Sequence, residues 1–142
     1  MRVIIGSDNE GREMMKIIRK YLKSLNLSVL DVTSYEETDC VTGSVRVAKE
    51  VLSDNDSLGI FIDGYGVGSF MAATKVKGMV VAEVSDERTA YMTREHNNAR
   101  MITLGAKIVG EELATNIVRD FLNGKYAAGR HQIRVDMLNK MA

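Results

Sequence analysis

Short apolar runs alternate with longer amphipathic stretches along this chain. Five apolar runs predict strands: 3–6, 28–32, 58–62, 79–84 and 101–104. Apolar residues recur at helical spacing and predict helices at 10–25, 41–53 and 110–123, and a polar helix is expected at 86–97. A further helix is expected from the glycine-rich segment after the third strand to about Lys75, and a short one in the terminal GRHQIRVDMLNKMA.

This alternation of strand and helix is typical of parallel βαβ units. The strands are apolar throughout, which favours a sheet covered by helices on both faces. We therefore predict an α/β fold: a three-layer α/β/α Rossmann-like sandwich with a five-stranded parallel sheet, a central first strand and a C-terminal helical extension. Nothing in the sequence suggests a linker or repeat, so a single domain is expected over residues 1–142.

Composition narrows the class of protein further. Nineteen basic residues balance nineteen acidic ones, which argues against a global basic field for nucleic acid. No apolar run reaches membrane-spanning length, and the N-terminus reads as a strand rather than a signal peptide, so we expect a cytoplasmic protein. The single cysteine, Cys40, and two histidines predict neither an internal disulfide nor a metal site.

In such folds ligands bind where the strands end. Gly64, Gly66 and Gly68 alternate directly after the third strand, where glycines let amide hydrogens approach an anion. Their spacing differs from the dinucleotide fingerprint, and the segment lacks the lysine of a P-loop. A tight turn without a ligand is the simpler alternative.

Basic residues of the second half offer an anion site. Arg130 and Arg134 share a face if the tail is helical, which suits a phosphate, although an exposed basic helix face has the same pattern. His96 ends a polar helix, where it could cap the helix or act as an acid or base. We expect a structural or surface role for His131, and a bystander role for Cys40 in the polar connection 33–40.

A phosphoryl-accepting receiver domain has a similar length and element order. In that alternative Asp63 would accept the phosphoryl group and Lys107 would be its partner. Asn9 tells against it, because a receiver needs an acid pair after the first strand to hold magnesium. The glycine segment beside the acceptor also tells against it.

Four segments together resemble the family of type B ribose-5-phosphate isomerases and galactose-6-phosphate isomerases. They are GSDNEG, DGYGVGSFMAATK, SDERTAYMTREHNNARMITLGAKIVG and GKYAAGRHQIRVDMLNKM, and they span nearly the whole chain. The resemblance implies an enzyme that interconverts aldose and ketose phosphates through an enediolate, without metal or cofactor. It further implies galactose 6-phosphate and tagatose 6-phosphate as substrate and product, in lactose and galactose breakdown.

The resemblance also implies roles for individual residues. His96 is the expected ring-opening catalytic residue. Substrate-binding roles fall to Asp8 for sugar hydroxyls, Asn97, the anion-hole glycines Gly64, Gly66 and Gly68, and the phosphate-binding Arg130 and Arg134.

Three positions depart from the family pattern. Asp63 stands where a cysteine base is usual, Asn9 stands where a phosphate-binding histidine is usual, and Tyr65 replaces a small residue and would crowd the pocket. Asp63 is therefore an uncertain base position. We expect an oligomeric galactose-6-phosphate isomerase whose base comes from a second kind of subunit, a sister chain that carries the cysteine. The alternatives are a self-sufficient ribose-5-phosphate isomerase B and a non-catalytic sugar-phosphate-binding regulatory subunit.

Overall fold

The computed structural model describes residues 1–34 and 37–141, so residues 35 and 36 of the polar connection lie outside the described residues. The strands are β1 (Arg2–Ser7), β2 (Ser28–Asp31), β3 (Ser57–Asp63), β4 (Val81–Glu83) and β5 (Met101–Gly105). The helices are α1 (Arg12–Ser24), α2 (Cys40–Leu52), α3 (Val67–Ala73), α4 (Glu87–Asn97), α5 (Glu111–Asn123) and α6 (Gln132–Lys140). A 3₁₀ turn at Gly129–His131 precedes α6.

The sheet has the order β2-β1-β3-β5-β4, and each neighbouring pair is parallel. One apolar cluster packs α1, α4 and α5 against one face of the sheet. A second cluster packs α2 and α3 against the opposite face. The predicted three-layer α/β fold is confirmed. The expectation of a central first strand holds only in part, because β1 is interior while β3 occupies the middle.

Burial of the strands depends on their place in the sheet. All seven residues of β3 are buried, as expected for a strand covered on both faces. The edge strand β2 alternates between exposed and half-buried positions, and Leu30 keeps 38% of its surface exposed. The expectation that every strand is apolar and covered on both faces is therefore wrong for β2, whose four residues include Ser28 and Asp31.

The loop after β1 packs closely against the carboxyl end of β3 at Gly11. Any side chain at Gly11 would collide with the backbone carbonyl of Ile62, which lies in β3. The Gly11 amide donates to Asp8 Oδ1 at 3.0 Å, and the Asp8 amide donates to the Ile62 carbonyl at 3.3 Å. A glycine at this position lets the loop after β1 reach the end of β3.

The C-terminal segment is held only lightly by the rest of the described chain. Val135 is the one residue of α6 that is buried. Ile133 and Met137 are 72% and 55% exposed. Arg130 lies in the 3₁₀ turn and Arg134 in α6, which follows that turn directly. No helix in the described ranges is long and apolar enough to cross a bilayer.

Candidate active site

The carboxyl edge of the sheet carries Asp63, at the end of β3 and only 5% exposed. The Ser69 hydroxyl donates to Asp63 Oδ1 at 2.9 Å, and the Ser69 amide donates to Asp63 Oδ2 at 3.3 Å. Both carboxylate oxygens are therefore engaged by the first turn of α3. Asp63 holds the loop that precedes this helix.

That loop, residues 64–68, contains the predicted glycines. Gly66 adopts a φ of 78°, a left-handed conformation that favours glycine. Its carbonyl accepts a hydrogen bond of 2.7 Å from the Thr103 hydroxyl of β5. The Lys107 amide donates to the Gly64 carbonyl at 2.9 Å. The end of β5 thus fixes the path of the glycine loop.

Amide hydrogens of the glycine loop remain available to a ligand. Within the described ranges, no residue accepts a hydrogen bond from the backbone amides of residues 65–68. Unpaired amides at the start of a helix are donors that an anion can satisfy. This geometry is compatible with the anion hole that the sequence predicted.

Asp8 lies beside this loop, at the end of β1. Partial burial raises the pKa of its carboxyl group, although the hydrogen bond from the Gly11 amide acts in the opposite direction. The negative charges of Asp63 and Glu10 raise the same pKa further. The strand ends therefore bring carboxylates close enough to repel one another.

Cys40, for which a bystander role was expected from sequence, lies at the same edge. It begins α2, and a methyl group at Gly68 would lie 3.1 Å from its Sγ atom. Burial raises the pKa of the Cys40 thiol, and the charges of Asp63 and Asp8 raise it further. A signal was present in the sequence, because the helix after β2 must start at the carboxyl edge of a parallel sheet. We call Asp8, Cys40, Asp63 and residues 64–68 the strand-edge cluster.

Lys107 and Glu10 form an ion pair beside the strand-edge cluster. Lys107 Nζ lies 3.3 Å from Glu10 Oε1 and 5.6 Å from the centre of the Tyr65 ring. The Glu10 carboxylate also packs directly against Gly64. Tyr65 is 57% exposed, so its ring lies at the surface of the loop.

The receiver alternative needs a pair between Asp63 and Lys107. Instead Lys107 pairs with Glu10, and Asp63 pairs with Ser69. Asn9 donates to Glu37 at 3.4 Å and accepts from Arg12 at 3.0 Å. The geometry therefore offers no phosphoryl-acceptor site of the receiver type.

A second group of candidate residues lies at the end of α4. His96 occupies the last turn of this helix, and its ring stacks on that of His131. The ring centres are 4.3 Å apart, with an angle of 16° between the planes. Partial burial lowers the pKa of His131, and the positive charges of His96, Arg130 and Arg134 lower it further. We call His96, Arg130, His131 and Arg134 the tail cluster.

The arginines of the tail cluster are free to bind an anion. Arg130 and Arg134 are exposed, and neither forms a hydrogen bond or ion pair with any described residue. Unpaired guanidinium groups a few residues apart suit a phosphate. This arrangement is compatible with the phosphate-binding role predicted for them.

Asn97 follows His96 but faces a different region. It lines a cavity of about 610 Å³ between α3, β4, α4 and α6, together with Phe70, Glu83 and Leu138. No hydrogen bond or ion pair within residues 1–34 and 37–141 joins the tail cluster to the glycine loop. Apart from Asn97, the predicted site residues thus form two separate groups on this chain.

Comparison with known proteins places this α/β chain among sugar-phosphate isomerases. The sequence model of the Ribose/Galactose Isomerase family matches residues 3–138, and the chain belongs to this family. A Streptococcus mutans protein named galactose-6-phosphate isomerase subunit LacA is 62% identical over 141 residues, covering 99% of each chain. The Staphylococcus epidermidis protein of that name is 60% identical with the same coverage.

Solved structures of the family share the fold closely. Ribose-5-phosphate isomerase B of Clostridium thermocellum superposes with a TM-score of 0.93 and 36% identity, over 98% of this chain and 95% of the other. The enzyme of Mycoplasma genitalium, solved with bound ribulose 5-phosphate, gives a TM-score of 0.92 and 37% identity, over 97% and 93%.

Proposed function

We propose that this chain is one subunit of a heteromeric galactose-6-phosphate isomerase, which interconverts D-galactose 6-phosphate and D-tagatose 6-phosphate. Relatives of about this length that are named as a subunit of that enzyme support the substrate and the need for a partner. The partner would be the second subunit of the same enzyme, a sister chain that brings the cysteine base that this chain lacks.

One observation carries the proposal of a shared site. Both oxygens of Asp63 are bound by Ser69, so this carboxylate is held by the helix rather than presented to a substrate carbon. The tail cluster is instead open and carries two unpaired arginines. We therefore assign the acid and the phosphate-binding arginines to this chain and the base to its sister. This division uses the groups that have no partner within the chain.

The reaction needs only proton transfers. His96 donates a proton to the ring oxygen as the anomeric hydroxyl loses one, which opens the sugar ring. The base then removes the proton from C2, and the electron pair of that bond forms the enediolate double bond. Free amides of a glycine loop stabilise the enediolate oxygen. The ketose forms when the proton returns to C1 and the C2 hydroxyl gives up its proton, which goes to the oxygen on C1.

The remaining residues bind the substrate without taking part in bond changes. Arg130 and Arg134 would hold the phosphate through charge-assisted hydrogen bonds. Asn97 and Asp8 would bind sugar hydroxyl groups. Asp8 acts at the strand-edge cluster and His96 at the tail cluster, so the two serve different sites if each site joins two chains.

Exposed apolar residues support the oligomer. Tyr65, Val67 and Met71 are exposed on the glycine loop and α3, and α6 exposes Ile133 and Met137. Apolar patches of this kind mark contact surfaces. The sister subunit would cover them and bring its own glycine loop toward the tail cluster.

The test compares the purified chain with an assembly that contains a cysteine-bearing sister chain. We expect little or no turnover of galactose 6-phosphate by this chain alone and full turnover by the assembly. Asp63→Asn in the assembly should retain most of that turnover. Efficient turnover by the lone chain would contradict the shared site and make Asp63 the base. Faster turnover of ribose 5-phosphate than of galactose 6-phosphate would favour the ribose-phosphate alternative.

A further inference from the structure

The stack of His131 on His96 is built by an unusual backbone segment. The Ala127 amide donates to the carbonyl of Glu95 at 2.9 Å, which fixes the chain beside the residue before His96. Ala128 and Gly129 then adopt φ values of 53° and 57°. The His131 amide closes the turn with a 3.1 Å hydrogen bond to the Ala128 carbonyl.

The conformation of Ala128 is unfavourable by itself. An alanine with a positive φ brings its Cβ close to the neighbouring backbone, and such residues persist only where the surrounding structure holds them. Here the reversed backbone turns the chain back onto the end of α4. This strained turn places the ring of His131 face to face with that of His96.

The charges around the pair suit a stack in which His131 is neutral. Arg130 and Arg134 lie near the His131 ring, and partial burial together with their charges lowers its pKa. Glu95 Oε1 lies 3.8 Å from His96 Nε2 and is the acidic group that faces the pair. A neutral ring can remain stacked on His96 whether or not His96 carries the proton that it transfers.

We propose that His131 is a positioning residue, whose ring holds the His96 imidazole in the orientation needed to protonate the ring oxygen of the substrate. The proposal rests on the proposed function of His96 in ring opening. It assigns a role to a residue for which sequence reasoning expected only a structural or surface position. The property that matters is the flat aromatic face of His131 rather than its proton.

The first measurement reads the stack directly. The chain has two histidines, so after replacement of His131 every histidine ring-proton signal in the NMR spectrum comes from His96. His131→Leu keeps much of the volume but removes the ring current, whereas His131→Phe keeps an aromatic face. We expect the ring-proton NMR signals of His96 to move downfield in His131→Leu and to stay near their native positions in His131→Phe. Unchanged signals in His131→Leu would overturn the stack, and His131→Ala repeats the test if the leucine variant folds poorly.

The second measurement reads catalysis in the assembled enzyme. Because misorientation of an acid acts on the chemical step, His131→Leu should lower kcat about ten-fold and change KM by no more than about two-fold. His131→Phe should restore kcat to within about three-fold of the native value. Asn139→Ala, an exposed substitution on α6, controls for general disturbance of the tail and should leave both constants unchanged.

Native kcat in His131→Leu would overturn the positioning role, and so would a loss in His131→Phe as large as in His131→Leu. A failure of the proposed function is distinguishable, because it would appear as absent turnover in the native assembly before any variant is made. In that case the NMR comparison still reports whether the stack exists, and the catalytic part of the proposal falls.

Discussion

The strand-edge cluster and the tail cluster differ in charge and in how fully their polar groups are satisfied. At the strand edge, Asp63 is buried and bound by Ser69, and Asp8 accepts a hydrogen bond from Gly11. In the tail, Arg130 and Arg134 have no ion-pair partner among the described residues. The carboxylates of the first region already accept hydrogen bonds, whereas the guanidinium groups of the second have no acceptor among the described residues.

This difference explains why the two regions suit different parts of a sugar phosphate. A phosphate group carries negative charge and is attracted to unpaired guanidinium groups, whereas carboxylates repel it. Carboxylates beside the glycine loop also oppose the negative charge that develops on an enediolate. The charge contrast therefore supports the proposal of a site that joins the tail cluster of this chain to a less acidic glycine loop of another chain.

The largest expected effect concerns His96. In the assembled enzyme, His96→Ala should slow turnover of the cyclic substrate by about 10²–10⁴-fold, the range of general acid–base catalysis. Exchange of the carbon-bound proton in an analogue that cannot cyclise should be much less affected, because the proposed function assigns that step to a base on the sister chain. The measurement compares deuterium incorporation from solvent into the analogue with overall turnover of the ring form.

Two outcomes would contradict this separation of roles. An equal loss in both assays would mean that His96 serves the proton transfer at carbon or only maintains the contact between chains. No loss in either assay would leave His96 as a capping residue at the end of α4.

Arginine substitutions test the charge contrast and should have the next largest effect. Loss of one charge-assisted hydrogen bond costs about 1.5–3 kcal/mol, so Arg130→Ala and Arg134→Ala should each weaken substrate binding about ten-fold or more. Inhibition by an unphosphorylated sugar should not change. Arg119→Ala is the matched control, because Arg119 is exposed on α5 and pairs with Asp120.

Normal substrate affinity in both variants would show that these arginines form only a solvated surface. A loss in Arg119→Ala as large as in Arg130→Ala would show that general surface charge, rather than the tail cluster, attracts the phosphate.

Most of the fold could be predicted from the sequence, because its buried strands are continuous apolar runs. The runs at 58–62 and 101–104 agree with β3 and β5 to within one residue at each end. The run at 79–84 was less informative, since β4 has only three residues and Val84 is buried beyond its end. The local pattern of apolar residues does not show how many residues of an edge segment form hydrogen bonds with the neighbouring strand.

The candidate site was predictable where residues adjoin a strand or share a motif. Asp8, Asp63 and the glycines follow strands, so their common edge was expected. The contact between His96 and His131 was not, because it depends on the positive φ of Ala128 and on a 35-residue separation along the chain. Backbone reversals of this kind leave no apolar periodicity, and an alanine is not the residue that usually marks them.

The smallest expected effect concerns the thiol of Cys40, which reports the charge of the strand-edge cluster. Burial and the nearby carboxylates raise the pKa of this thiol, and only the thiolate reacts with alkylating agents. Reaction with iodoacetamide should therefore require a higher pH in the native chain than after unfolding in urea. Asp63→Asn removes one negative charge, so it should lower the thiol pKa and speed alkylation at pH 8 by about two- to five-fold.

The reaction with negatively charged iodoacetate should be accelerated more than that with neutral iodoacetamide, because the carboxylate that is lost also repels the charged reagent. Asp136→Asn makes the same charge change on α6 and should have no effect on either rate. Equal acceleration by the two aspartate variants, or a native thiol that reacts like the unfolded one, would show that the carboxylates of the strand edge do not act on Cys40.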